Sequence, residues 1–354
     1  MQRAQSLAVF LATLGLMFAA GLPESRAAAA NAIPATENAL VVYATFHSSE
    51  AAELFAAFAR LHPGVHVHYE LISTGPLFRR FVEENQRNQP SADVVWSPAM
   101  NLQMKLINDG YAQPVESSQT PYSSRRAIWN GMAYVITTEP VVFIYNRRLL
   151  SQAQVPHSHT ELARWLATPG PYEGKVVAYD PLATETGMLL FSQDLQVTRD
   201  TWDITRGLAR NEARFYAVAG EMIRAVGRGE AVFGYNTLGA SALEIRKQIP
   251  DIGVVVPSDY VLVMSRTALV SRKAPHPAAA RVFLDFLLSR DAQSLMASHG
   301  MSPVRTDLAG AGIQLYLDPK HTQTIPMGLT LLSDLDGLVR ARFQRDWRRA
   351  IETR

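Results

Sequence analysis

The sequence predicts an α/β protein of two lobes, each a doubly wound and mainly parallel sheet, joined by strands that cross between them. Three observations carry this. At 354 residues the chain exceeds the roughly 100–200 residues that one domain usually spans. Short apolar runs, each followed by a hydroxyl-rich loop and a helical stripe, recur three times early and twice more later, the grammar of parallel sheets. Long apolar runs without helical periodicity separate the two groups.

The elements follow in order. Arg3 precedes an apolar run from Leu7 to Phe18, and Ser25-Arg26-Ala27 places small residues where a signal peptidase reads, so residues 1–27 read as a signal peptide. The run is shorter than the roughly 20 apolar residues of a membrane span, and no cysteine follows to carry a lipid anchor. The mature chain is expected to be soluble, monomeric and periplasmic. Ala39-Leu40-Val41-Val42-Tyr43 is a buried strand, and Ala51, Leu54, Phe55 and Phe58 mark a helix that His62-Pro63-Gly64 ends. Val65 to Tyr69 is a second strand, with Pro76 at the first position of its helix, and Asp93 to Trp96 a third, followed by a helix from Met100 that Gly110 closes.

Lys175 to Tyr179 and Ala231 to Tyr235 repeat the pattern, each running into a polar loop, Thr184 to Gly187 and Asn236-Thr237. Ala133 to Thr137, Val141 to Tyr145 and Val261 to Met264 read as crossing strands that form a hinge. This gives residues 39–137 with 260–302 as lobe 1, 138–259 as lobe 2, and a helical segment over 303–354. In that segment Leu335, Val339, Phe343, Trp347 and Ile351 form one stripe opposite Arg340, Arg342, Arg345, Arg348 and Arg349.

Composition narrows the chemistry. A net charge of only +2 lacks the basic excess of a nucleic-acid-binding chain. The absence of cysteine excludes disulfides, thiolate nucleophiles and cysteine metal sites. His66 and His68 share one strand face without a further ligand to complete a metal set, and Ser241 lacks the second glycine of a hydrolase elbow, so no enzyme and no cofactor are expected. In an open parallel sheet ligands bind beyond the carboxyl ends of the strands, where helix N-termini present unpaired amides. There the sequence places Thr45, His47 and Ser48, then Ser73 and Thr74, then Ser97, and in the second lobe Thr184, Thr186, Asn236 and Thr237. Each hydroxyl also suits a helix cap, worth about 1 kcal/mol. Their recurrence in both lobes points to a bound anion.

The chain resembles the class II periplasmic solute-binding proteins of ABC importers, and within them the ferric-iron-binding type. The resemblance runs from about Leu40 to Leu308. It rests on Val42-Tyr43 with His47, Ser91-Ala92-Asp93-Val94, Val142 to Asn146, Gly229-Glu230-Ala231-Val232, and above all Ala274-Pro275-His276-Pro277-Ala278-Ala279-Ala280 leading to Phe286-Leu287-Leu288-Ser289. It implies a two-lobed binding fold that closes on a solute and hands it to an inner-membrane permease. Iron-binding members supply two adjacent tyrosines, a histidine and a glutamate. Here only His47 matches: the tyrosine pair falls at Asn236 and Thr237 by the Gly229-Glu230-Ala231 anchor, and the glutamate position at Pro98. A small phosphorylated or carboxylated organic anion is therefore the expected solute, and iron held by His47 and Tyr235 the alternative. The Arg-rich last helix is similar to the branch associated with phosphoglycerate uptake, which implies a sensor kinase as a further partner.

Overall fold

The computed structural model describes residues 33–34, 37–45, 48–310 and 317–352; the expected signal peptide, His47 and the side chain of Ser48 lie outside what it describes. The first three strand-loop-helix units are β1 (Ala39–Ala44), α1 (Ser48–Leu61), β2 (His66–Leu71), α2 (Thr74–Gln86), β3 (Val94–Ser97) and α3 (Met100–Asn108). β1 runs parallel to both neighbours, with Val42 paired to Tyr69 on one side and to Val94 on the other. α2 opens at Thr74, two residues before Pro76. A proline without an N–H is tolerated anywhere in that first turn, because those amides have no intrahelical acceptor. His66 and His68 face solvent on the edge strand β2.

After the short β4 (Ile128–Trp129), the two apolar runs expected as separate crossing strands form one strand, β5 (Ala133–Asn146). Its first half pairs with β10 (Val261–Val270) and its second half with the other sheet. Pro140 falls where the strand leaves one ladder for the next, a position that tolerates a missing N–H. β10 is antiparallel to both β3 and β5 and completes the order β2-β1-β3-β10-β5 of the first sheet.

The second sheet follows from α4 (His159–Trp165), β6 (Val176–Tyr179), α5 (Glu185–Val197), α6 (Asp200–Arg210), β7 (Arg214–Tyr216), α7 (Ala219–Gly227), β8 (Phe233–Leu238), α8 (Gly239–Gln248) and β9 (Ile252–Val255). β6 lies parallel between β7 and β8, while β8 and β9 are antiparallel to β5. Ser158 caps α4, its Oγ accepting from Glu161 N at 3.0 Å. His159 is buried, paired with Asp259 at 3.0 Å and stacked on Tyr260.

The segment that carried the strongest family resemblance builds α9 (Pro277–Leu287). Pro277 sits at the helix start, and His276 N and Nδ1 bond the fully buried carboxylate of Asp93 at 2.6 and 3.0 Å. Phe283 then meets Phe58 edge-on, 5.1 Å between ring centres, packing α9 against α1. α10 (Arg290–Ser298), β11 (Ser302–Pro303) and β12 (Thr322–Thr324) follow.

The tail is anchored to both lobes. A 3-10 turn, Leu329–Leu335, packs on α3 and buries Leu331 near Met104 and Ile107, whereas α11 (Gly337–Glu352) packs on α6. Phe343 and Trp347 insert into the second lobe, Trp347 lying 4.7 Å from the Phe191 ring. α11 starts at Gly337 because Asp336 Oδ1 accepts from Leu338 N and Val339 N at 2.9 and 3.0 Å, which leaves Leu335 in the preceding turn. The buried stripe is narrower than expected, since Val339 is 46% exposed.

Candidate functional site

The ends of strands from both sheets open onto one polar cleft. Thr45, Ser73, Thr74, Thr184 and Thr186, all singled out by sequence, line it together. The Oγ1 of Thr45 is buried there with no hydrogen-bond partner among the described residues.

Five helices bring their N-terminal ends to this cleft: α2 through Ser73, α3 through Pro98, α5 through Thr184, α7 through Val218 and Gly220, and α8 through Leu238 and Ser241. Only in α5 does a side chain cap the helix, Thr184 Oγ1 accepting from Gly187 N at 2.8 Å. Gly187 is required for that approach, because a Cβ there would lie 2.8 Å from Asp180 O and 2.9 Å from the Thr184 hydroxyl. At the other four ends the caps are Ser73, Ala99, Val218 and Leu238, none making a side-chain bond. Ala, Val and Leu have no oxygen with which to cap. On α3 the amides of Met100 and Leu102 are taken by Pro98 O and Asn101 Oδ1, and on α7 that of Glu221 by Val218 O. Only part of each first turn therefore faces the cleft with its amides unused by a cap, while each helix end adds a partial positive charge.

Tyr179 and Arg266 complete the wall. Arg266 is buried on β10 and paired with the buried Glu139 of β5. Burial pushes the Tyr179 phenol well up, against the opposing pull of the Arg266 charge. It enters the cleft as a neutral hydroxyl.

Ser97, Asn236 and Thr237 are placed outside the cleft lining. Ser97 is buried and its Oγ accepts from Ala99 N at 3.2 Å. Asn236 and Thr237, expected in a loop beyond a strand ending at Tyr235, lie within β8, which continues to Leu238. The loop-forming character of Asn236 is absorbed as a left-handed residue, φ 57°, where the pairing with β5 shifts register. Its amide, like the hydroxyls of Tyr235 and Tyr260, bonds the buried carboxylate of Asp194, at 2.5, 2.7 and 2.7 Å. Burial and the Asp194 charge raise the Tyr235 phenol well above its ordinary range.

Sequence reasoning passed over Arg266 and the ends of α7 and α8. Arg266 had a legible mark: a lone cation inside the apolar run 261–270 must be paired or functional, since isolated buried charges are so costly. Val218 and Leu238 had none, because hydroxyls were the feature sought and an uncapped helix end need not contain one.

Two α/β lobes sharing the continuous strand β5, with a polar cleft between them and helix ends converging on it, define a hinged solute-binding protein. The chain belongs to the bacterial extracellular solute-binding protein family, whose sequence profile matches residues 53–320. Proteins of this family deliver solutes to an ABC permease and are binding proteins, not enzymes. Among solved structures, the substrate-binding protein of an ABC transporter from Agrobacterium tumefaciens is similar at 30% identity, 89% of this chain and 94% of that one, with a TM-score of 0.83. The fold is shared with AfuA from Actinobacillus pleuropneumoniae, solved with fructose-6-phosphate, at 17% identity, 89% and 99% coverage and a TM-score of 0.72. It is also shared with iron-bound HitA from Pseudomonas aeruginosa, at 20%, 88% and 99%, and 0.65. No curated protein sequence matches this chain. No helix among the described residues is long and apolar enough to cross a membrane.

Proposed function

We propose that this protein is exported to the periplasm by cleavage of residues 1–27, closes on a small organic anion carrying a phosphate or carboxylate, and presents it to an inner-membrane permease. The observation that carries the reading is the meeting of five helix N-termini, four of them without side-chain caps, on one cleft together with Thr45, Ser73, Thr186 and Arg266. Amide dipoles, hydroxyl donors and a guanidinium all stabilise negative charge, and the amides and the guanidinium disfavour a bare cation. Contacts from both lobes exist together only when the cleft is shut, so the ligand favours the closed state by its difference in affinity for the two. AfuA, of the same fold, holds a phosphosugar, which fits this donor set.

The iron-binding alternative uses His47 and Tyr235. Tyr235 is fully buried and committed to Asp194, so forming a phenolate there would put two negative charges side by side in the core. A thermal-shift screen of the metal-stripped mature protein against phosphosugars, phosphonates, carboxylates and ferric citrate tests the reading, because a ligand of the folded state raises its apparent stability. A shift with organic anions is expected, and a shift with ferric ion alone would overturn it. A reporting role to a sensor kinase is favoured by one feature, the exposed Arg342, Arg345 and Arg348 on α11. Capture of the liganded protein by the kinase ectodomain instead of the permease tests that role.

A further inference from the structure

A second recess adjoins the cleft, the two sharing Ser73 and Thr184. Its walls come from three separate parts of the chain: Arg79 with the first turn of α2, the 181–185 loop, and Arg340 with Gln344 on α11. The loop is shaped by Asp180, whose Oδ1 accepts from Leu182 N and Ala183 N at 2.8 and 3.0 Å. Glu185 is the one acidic side chain in the lining, and it is already paired with Arg340, whose Nε also donates to Asp334 O at 3.0 Å. Arg79 is different. It is exposed beside Gly75, and among the described residues it has no ion-pair partner. With Arg340 and Glu185 cancelling, the recess keeps one net positive charge and the neutral amide of Gln344.

We propose that this recess is an outer subsite that takes a carboxylate at the far end of the solute, so that the ligand is an elongated molecule with two acidic ends. The inner end meets the helix termini and hydroxyls; the outer end meets Arg79, with Gln344 as a further donor. Arg79 belongs to the first lobe and Gln344 packs with the second, so a solute spanning both recesses ties the lobes together at two depths. The inference rests on the inner cleft being an anion site.

The test is calorimetric titration of the mature protein with two matched pairs of probes, each differing only in CH2OH against carboxylate: glycerol 3-phosphate with 3-phosphoglycerate, and glucitol 6-phosphate with 6-phosphogluconate. A charge-assisted pair at the exposed Arg79 should make the carboxylate member of at least one pair bind about fivefold tighter. In Arg79→Gln, whose exposed position leaves the fold intact, that preference should shrink to within about twofold of equality, the size left once an ion pair is exchanged for a neutral contact. Equal binding within both pairs, or a preference that survives in Arg79→Gln, overturns the outer subsite and leaves the inner anion site standing. Binding by neither member of either pair overturns the outer subsite for phosphorylated acids, and the thermal-shift screen then decides the inner anion site by itself.

Discussion

Arg266 reaches from β10 to Glu139 on β5, Nη2 lying 3.3 Å from Oε2, and the pair is buried where β10, which stays within the first sheet instead of crossing as expected, runs beside the crossing strand β5. The carboxylate neutralises the guanidinium, so the pair ties β5 to β10 at the wall of the cleft.

Removing one member of a buried pair strands the other. Arg266→Ala is therefore expected to lower unfolding stability by about 3–5 kcal/mol, and Arg266→Met combined with Glu139→Met to recover most of it. Both variants should lose anion affinity. Urea unfolding with calorimetry separates the two effects, and full affinity in the paired variant would take Arg266 out of the site.

Thr45→Val and Thr186→Val keep shape while deleting a hydroxyl that faces the cleft. Each is expected to weaken anion binding by about five- to tenfold, the equivalent of one hydrogen bond, with an unchanged unfolding midpoint. Unaltered affinity in both would move the site elsewhere.

Tyr235→Phe deletes one of three donors to Asp194 and should cost about 1 kcal/mol. The spectrum after ferric addition is the more telling readout. A phenol held far above its ordinary range by burial and by Asp194 should give no tyrosinate charge-transfer band in the wild type. A band that appears there and vanishes in Tyr235→Phe would restore the iron-binding reading.

Asp334, buried in the strap between the lobes, has its carboxyl pushed up to about 6 by burial, partly offset by the Gln193 amide and the Arg340 charge. Its unfolded value is 3.8, so between there and about 6 the folded chain binds more protons than the unfolded one. Stability contributed at this residue therefore falls as pH rises through that window. Asp334→Asn should match the wild type below the window and exceed it at neutral pH by up to about 3 kcal/mol. Urea unfolding on either side of the window checks the sign, which reverses if the ionised form is the stabilising one.

The strands and their helices were legible wherever burial imposes a period, as in β1 with α1 or β3 with α3. Pairing and side-chain direction were not. Glu139-Pro140 reads locally as a break, yet β5 continues through it because each half finds a different ladder. Asn236 reads as a loop residue, yet a bulge accommodates its left-handed backbone inside β8. The hydroxyl loops of α2 and α5 were found because capping and anion binding use the same residue types. The ends of α7 and α8 were not, since an uncapped helix terminus is defined by backbone placement that composition does not record.

β10 closes the first sheet between β3 and β5, and it lies in the chain after every strand of the second. A polypeptide emerging N-terminus first therefore holds β2-β1-β3 with a bare edge until residue 270 has arrived, while β6 to β9 can already assemble on the second half of β5. Pairing is thus ordered, the later sheet closing first and the earlier one waiting on a distant strand, a slow long-range closure, while the core of the second lobe still waits for Phe343 and Trp347. A chain stopped before Val261 would carry one complete sheet and two bare edges, on β3 and on the first half of β5, each a natural docking point for a chaperone or for another nascent copy.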